Sequence, residues 1–95
     1  MTDDEILTIL KADLDIIYVD TGKEEFLLNC IRHAKSLIER EGIKLKETIE
    51  DGNLVVMYAA YLYRKRQSND PMPRMLRYTM NNRLLSQKAR DEDGA

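Results

Sequence analysis

Cys30 and His33 are the chain's single cysteine and single histidine, three residues apart. On a helix that spacing can put both on one face, where an imidazole activates a thiolate or the pair holds a metal. A metal site needs two further ligands, and no second cysteine or histidine exists to supply them. The pair therefore reads as structural filler. Asp13, Asp15 and Asp20 look like fragments of a calcium loop, but the glycine and bidentate glutamate that such a loop needs are missing at the required spacing. No catalytic residue, metal or cofactor is assigned.

Tyr58, Tyr61 and Tyr63 fall within six residues and lead directly into Arg64-Lys65-Arg66. Aromatic rings beside cations can stack bases and pair phosphates. At helical spacing these three rings point in different directions, so they cannot form one platform. Tyrosines also suit subunit interfaces, with the ring buried and the hydroxyl wet, and burial in the core or at an interface is the expectation for all three. The cations continue as Arg74, Arg77, Arg83, Lys88 and Arg90. Arg64, Lys65, Arg66, Arg74, Arg77 and Arg83 flank the Asp70-Pro71 break. Two helix ends are expected to present them as one basic surface, facing DNA, a neighbouring subunit or an acidic partner. A sequence-reading helix is disfavoured: only Asn81 and Asn82 offer base-reading amides beside the arginines, and the pI is 5.4.

These residues sit in a chain of 95, which allows one domain. Hydrophobic residues make up 43% and charged residues 34%, enough for one modest core. Two prolines and four glycines argue against extensive disorder and against a turn-rich β fold. No apolar run approaches the ~18–20 residues of a membrane span, and Met1-Thr2-Asp3-Asp4-Glu5 is the opposite of a signal peptide's basic start. One cysteine excludes an intramolecular disulfide and fits a reducing compartment. The formal net charge of −2 hides a separation: residues 1–25 carry −6, residues 26–63 balance, residues 64–90 carry +7 and the last five carry −3. Two readings stand, one of a molecule with two oppositely charged faces, the other of acidic and basic segments lying against each other within the fold.

Four helices must position these groups. The first starts at Thr2, where Glu5 completes a capping box, and should stop near Lys11–Asp13, with Asp15 to Val19 as a connector. The second starts with a capping box of Thr21 and Glu24. It carries the stripe Phe26, Leu27, Cys30, Ile31, Ala34, Leu37 and Ile38, and ends at Gly42. After a polar connector, with Thr48 and Asp51 flanking the next start, Leu54 to Tyr63 is apolar or aromatic on every side. Such a helix is central, or partly covered by another chain; in so small a protein the second is weighted upward. Ser68-Asn69-Asp70-Pro71 is a break, and Pro73 suits the first turn of a fourth helix. That helix carries Met72, Met75, Leu76, Thr79, Met80 and Leu84, with Leu85 alongside and Arg74, Arg77 and Arg83 on its flanks. From Lys88 onward it should fray into a mobile acidic tail over 91–95. The expected fold is a small all-α bundle, one domain over residues 1–90.

The layout over residues 3–88 resembles the head–tail connector (adaptor, or head-completion) proteins of long-tailed bacteriophages. The matching parts are Ile6-Leu7-Thr8-Ile9-Leu10-Lys11 with Leu14, the helix from Glu25-Phe26-Leu27-Leu28 through Ala34-Lys35-Ser36-Leu37-Ile38, and the apolar helix Leu54 to Arg64. Then come Met72-Pro73-Arg74-Met75-Leu76-Arg77 and the closing Tyr78-Thr79-Met80-Asn81-Asn82-Arg83-Leu84-Leu85. The resemblance implies a four-helix protein that forms a ring of about twelve copies beneath the portal, in the virion's head–tail junction, after assembly in the bacterial host cytoplasm. It implies portal protein on one face, the next head-completion or tail component on the other, and DNA passing non-specifically through a central hole. It brings no small-molecule substrate and no catalytic residue. Two rivals are a small helical DNA-binding regulator acting as a dimer and an enzyme, the latter disfavoured by the lack of a coherent acid, base or metal set.

Overall fold

Thr2 begins the first helix: its hydroxyl accepts from the Glu5 amide while the Glu5 carboxylate accepts from the Thr2 amide, satisfying two donors that a helix start leaves open. In the computed structural model, which describes residues 1–16, 21–66 and 68–94, this helix is α1 (Asp3–Asp13). It is followed by α2 (Thr21–Arg40), α3 (Ile49–Lys65) and α4 (Arg74–Gly94), and no strand occurs among the described residues. The predicted connector beyond Ile16, Asp20 of the calcium-loop fragment and the side chain of Thr21 lie outside the described residues.

α1 closes with a motif that spacing alone does not reveal. Asp15 stands in the left-handed region at φ 59°, the Ile16 amide donates to the Lys11 carbonyl, and the Asp15 amide donates to the Ala12 carbonyl. That pair of bonds is a Schellman cap, here with an aspartate where glycine is usual. α2 ends as expected: Gly42 takes φ 97°, which a side chain rarely adopts, and its carbonyl accepts from Gln87 on α4. α3 begins earlier than its apolar run, because the Thr48 hydroxyl accepts from the Asp51 amide and caps the helix five residues ahead of Leu54. Pro73 lies immediately before α4, and its carbonyl accepts from the amides of Leu76 and Arg77. α4 does not fray at Lys88; its backbone stays helical through Gly94, leaving only Ala95 of the expected tail outside the described residues.

The core is built around α3, which packs against α2, α1 and α4. Ile6, Leu7 and Leu10 from α1, Leu27, Ile31, Ala34 and Ile38 from α2, Leu54, Val55, Val56, Ala59 and Ala60 from α3, and Leu76 and Met80 from α4 are all buried. Each fully buried Leu, Ile, Val or Met side chain among them stabilises the fold by about 1.5–3 kcal/mol. α3 is therefore the central helix, the first of the two expected alternatives. Three helices of the same chain surround it, and only Met57, Tyr61, Leu62 and Tyr63 stay half-exposed. α4 packs chiefly on α3, and the molecule is elongated, 46 × 28 × 18 Å.

Candidate interaction surface

α4 is read most directly from the groups it turns inward. Leu76, Met80, Arg83 and Gln87 recur at four, three and four residues, one face of a helix. Leu76 and Met80 enter the core, and Arg83 follows them, 6% exposed. Its Nε donates to Asp51 Oδ1 at 2.6 Å and its Nη2 to Asp51 Oδ2 at 3.0 Å and to the Lys44 carbonyl at 2.9 Å. Nη1 reaches Gln87 Oε1 at 3.3 Å, and the same Gln87 oxygen accepts from the Lys44 amide at 2.7 Å. Asp51 is 1% exposed and also accepts from the Lys46 amide at 2.7 Å. Burial alone would raise the Asp51 carboxyl, but the Arg83 guanidinium and the Lys46 amide outweigh it and hold the carboxyl below its ordinary value. The Asp51 carboxylate in turn raises the Arg83 guanidinium. Arg83 is therefore a structural tie between α3, the 42–46 connector and α4, and it leaves the basic surface to which its sequence position assigned it.

Four of the other five cations of that set also have partners within the molecule. Arg64 pairs with Asp13 at 3.5 Å, Lys65 lies 5.6 Å from the Tyr61 ring centroid, and Arg66 lies 4.2 Å from that of Phe26 and 5.7 Å from that of Tyr63. Arg77 pairs with Glu41 at 3.3 Å. Arg74 is exposed at the start of α4. With Arg83 buried, the six do not all lie on one exposed surface, although Arg64 and Lys65 line a cleft with Pro71 and Pro73, beside the start of α4. Three ion pairs join residues 64–83 to the rest of the chain, and one of them, Arg64 with Asp13, links the basic segment to the acidic start. A different basic cleft, of about 70 Å³, forms where Lys44, Lys46 and Arg90 gather beside Arg83 and Gln87. The two lysines lie more than forty residues from Arg90, so no local pattern announces the cluster.

The tyrosines divide as well. Tyr58 is buried at 7% exposure, with its ring edge-to-face on Tyr61 at 6.0 Å, and so leaves the predicted subunit interface. Tyr61 and Tyr63 remain half-exposed; Tyr63 packs edge-to-face on Phe26. Cys30 is buried, and burial pushes its thiol up, while His33 is exposed, so the two do not converge on one ligand. A groove of about 500 Å³ between α1, α2 and α3 is floored by Ile6, Leu45 and Val55. Two of its carboxylates, Asp3 and Asp51, are held by Lys35 and Arg83. No group of three or more His, Cys, Asp or Glu side chains placed to hold a metal occurs among the described residues, and no helix among them is long and apolar enough to cross a membrane.

The feature that sequence reasoning blurred is the opposite face of α4. Met75 is 66% exposed, and Tyr78 and Leu85 are each 64% exposed. With exposed Asn82 they recur at three, four and three residues, a stripe turned away from the core. Arg74 and Lys88 flank it. α4 thus has two apolar faces, one closing the core and one left to solvent. The fourth exposed large apolar side chain among the described residues is Ile49, 71% exposed in the first turn of α3. Comparison with protein-family models, with characterised proteins and with solved structures finds no match.

Proposed function

We propose that this chain is a structural head–tail connector, assembling as a ring of about twelve copies beneath a portal, joining a DNA-filled head to a tail and leaving a channel for DNA. The observation that carries the reading is the outward stripe of α4: three large apolar side chains held in solvent on a helix whose other face already completes the core. A protein that works alone gains nothing from that arrangement; a protein that works as a repeated part of an assembly uses it as a contact. The order of the helix patterns, which resembles the connector family over most of the chain, supports the same reading. Arg74, Lys88, Arg90, Lys44 and Lys46 are exposed and suit phosphate-directed, sequence-independent contacts, each weak and salt-screened and collectively strengthened by repetition around a ring.

The test is genetic. Disrupting the coding sequence in cells that produce the corresponding particles should yield DNA-filled heads without tails, restored by the intact chain supplied in trans. Normal yields of tailed, infectious particles after disruption overturn the proposal. Sequence-selective binding of the purified dimer to a promoter would favour the regulator in its place.

A further inference from the structure

We infer that the outward stripe of α4 docks on the Ile49 surface of an adjacent copy, head to tail. This inference rests on the ring reading and names the contact that would build it. Two properties of the surface select the occupant. The first is apolar content: among the described residues the four exposed large apolar side chains are Met75, Tyr78 and Leu85 on α4 and Ile49 on α3. The second is charge. The stripe is flanked by Arg74 and Lys88, and Ile49 is flanked by exposed Glu47 and Glu50. A second copy of the chain therefore supplies both the apolar and the charge complement that the stripe lacks in its own molecule.

Geometry separates the two patches. α4 reaches α3 through Arg83 and Asp51, so those residues mark where the two helices face each other. The stripe lies on the side of α4 opposite Leu76, Met80 and Arg83. Ile49 precedes Asp51 by two residues, about 200° around the α3 axis at 100° per residue, and so points away from α4. The patches thus look outward in opposed directions. A contact between unlike patches on opposed sides repeats from copy to copy, and it closes into a ring when the rotation permits. Stripe-on-stripe pairing would instead set Arg74 and Lys88 of one copy near those of another, and would stop at a dimer. One such contact is small beside the ~1,200–2,000 Å² of a standard stable interface, so self-association should be weak until closure adds the last contact.

Two variants of the full-length chain test the docking. Tyr78→Asp with Leu85→Asp disables the stripe, and Ile49→Asp disables the opposite patch; all three positions are exposed, so circular dichroism should be unchanged. Sedimentation up to millimolar concentration should show wild-type association that weakens with salt, with each variant alone weakened at least about tenfold. Mixing the two variants should give a one-to-one heterodimer that grows no further, because each supplies the half the other lacks. If the aspartates unfold the chain, serine at the same positions repeats the measurement. An Ile49→Asp variant that associates as well as wild type assigns the stripe to itself and overturns the inference, as does a mixture that forms no heterodimer. Wild-type protein that stays monomeric throughout also overturns this contact, while the connector reading still stands or falls on the disruption experiment.

Discussion

Arg83 donates four hydrogen bonds to three partners, and the carboxylate it grips is almost completely buried. Removing either member of such a pair leaves the other charge in the core uncompensated, which costs about 3–5 kcal/mol. Arg83→Ala should therefore lower the urea midpoint sharply, whereas Arg74→Glu should leave it nearly unchanged, since Arg74 is exposed. Arg83→Met combined with Asp51→Leu should cost less than the two single changes together, with the Lys46 amide as the donor left to find water. Because the folded Asp51 carboxyl lies below its unfolded value of ~3.9, its contribution is fully present above about pH 4 and fades as pH falls through the folded value. The stability gap between wild type and Asp51→Asn should shrink correspondingly below about pH 4, followed by urea unfolding at successive pH values. Asp15 offers the opposite sign. An aspartate in the left-handed region is strained relative to glycine, so Asp15→Gly should raise stability by about 0.5–1 kcal/mol, read from the thermal midpoint. The position of Arg83 was partly legible: it falls on the Leu76–Met80 stripe, as Asp51 falls on the stripe of Leu54, Val55 and Tyr58. A charge on each of two core stripes points to a buried pair, but nothing local pairs residues 32 apart.

The elements themselves were legible where caps and periodicity agree. The Thr2–Glu5 box, the α2 stripe and the Gly42 stop occur where the sequence places them. α3 starts between Thr48 and Asp51, as the sequence places it, and its first turn, Ile49 to Asn53, is held by the Thr48 cap rather than by an apolar run. α4 misled for a different reason. Met75 and Leu76 are adjacent and both apolar, as are Leu84 and Leu85, so a single broad stripe fits the sequence as well as two opposed ones. The inward turn of Arg83 settles the rotation, putting Leu76 inside and Met75 outside. Substitutions on the two faces should separate accordingly. Leu76→Ala removes a side chain 1% exposed and should cost about 2–5 kcal/mol, whereas Leu85→Ser should stay within about 0.5 kcal/mol of wild type in the same unfolding assay.

At the scale of the whole molecule, the sequence's acidic start and basic end find each other in part. Asp13 of the acidic start takes Arg64, while Arg77 and Arg83 are taken by Glu41 and Asp51 of the charge-balanced middle, and Arg83 leaves the expected basic face. What remains outside is a pair of opposed surfaces, the basic-flanked stripe of α4 and the acidic-flanked Ile49 turn, on an elongated unit small enough to repeat around a channel. Exposed charges of this kind set salt dependence and register more than affinity, and apolar contact supplies most of the attraction. The proposed role makes a demand about place that no regulator or enzyme shares. Gold-labelled antibody to this chain, imaged on purified particles by electron microscopy, measures that place directly. The account predicts label confined to the joint between head and tail, and retained on DNA-filled heads that lack tails. Particles that carry no label at the joint, from cells in which the chain is abundant, would contradict it.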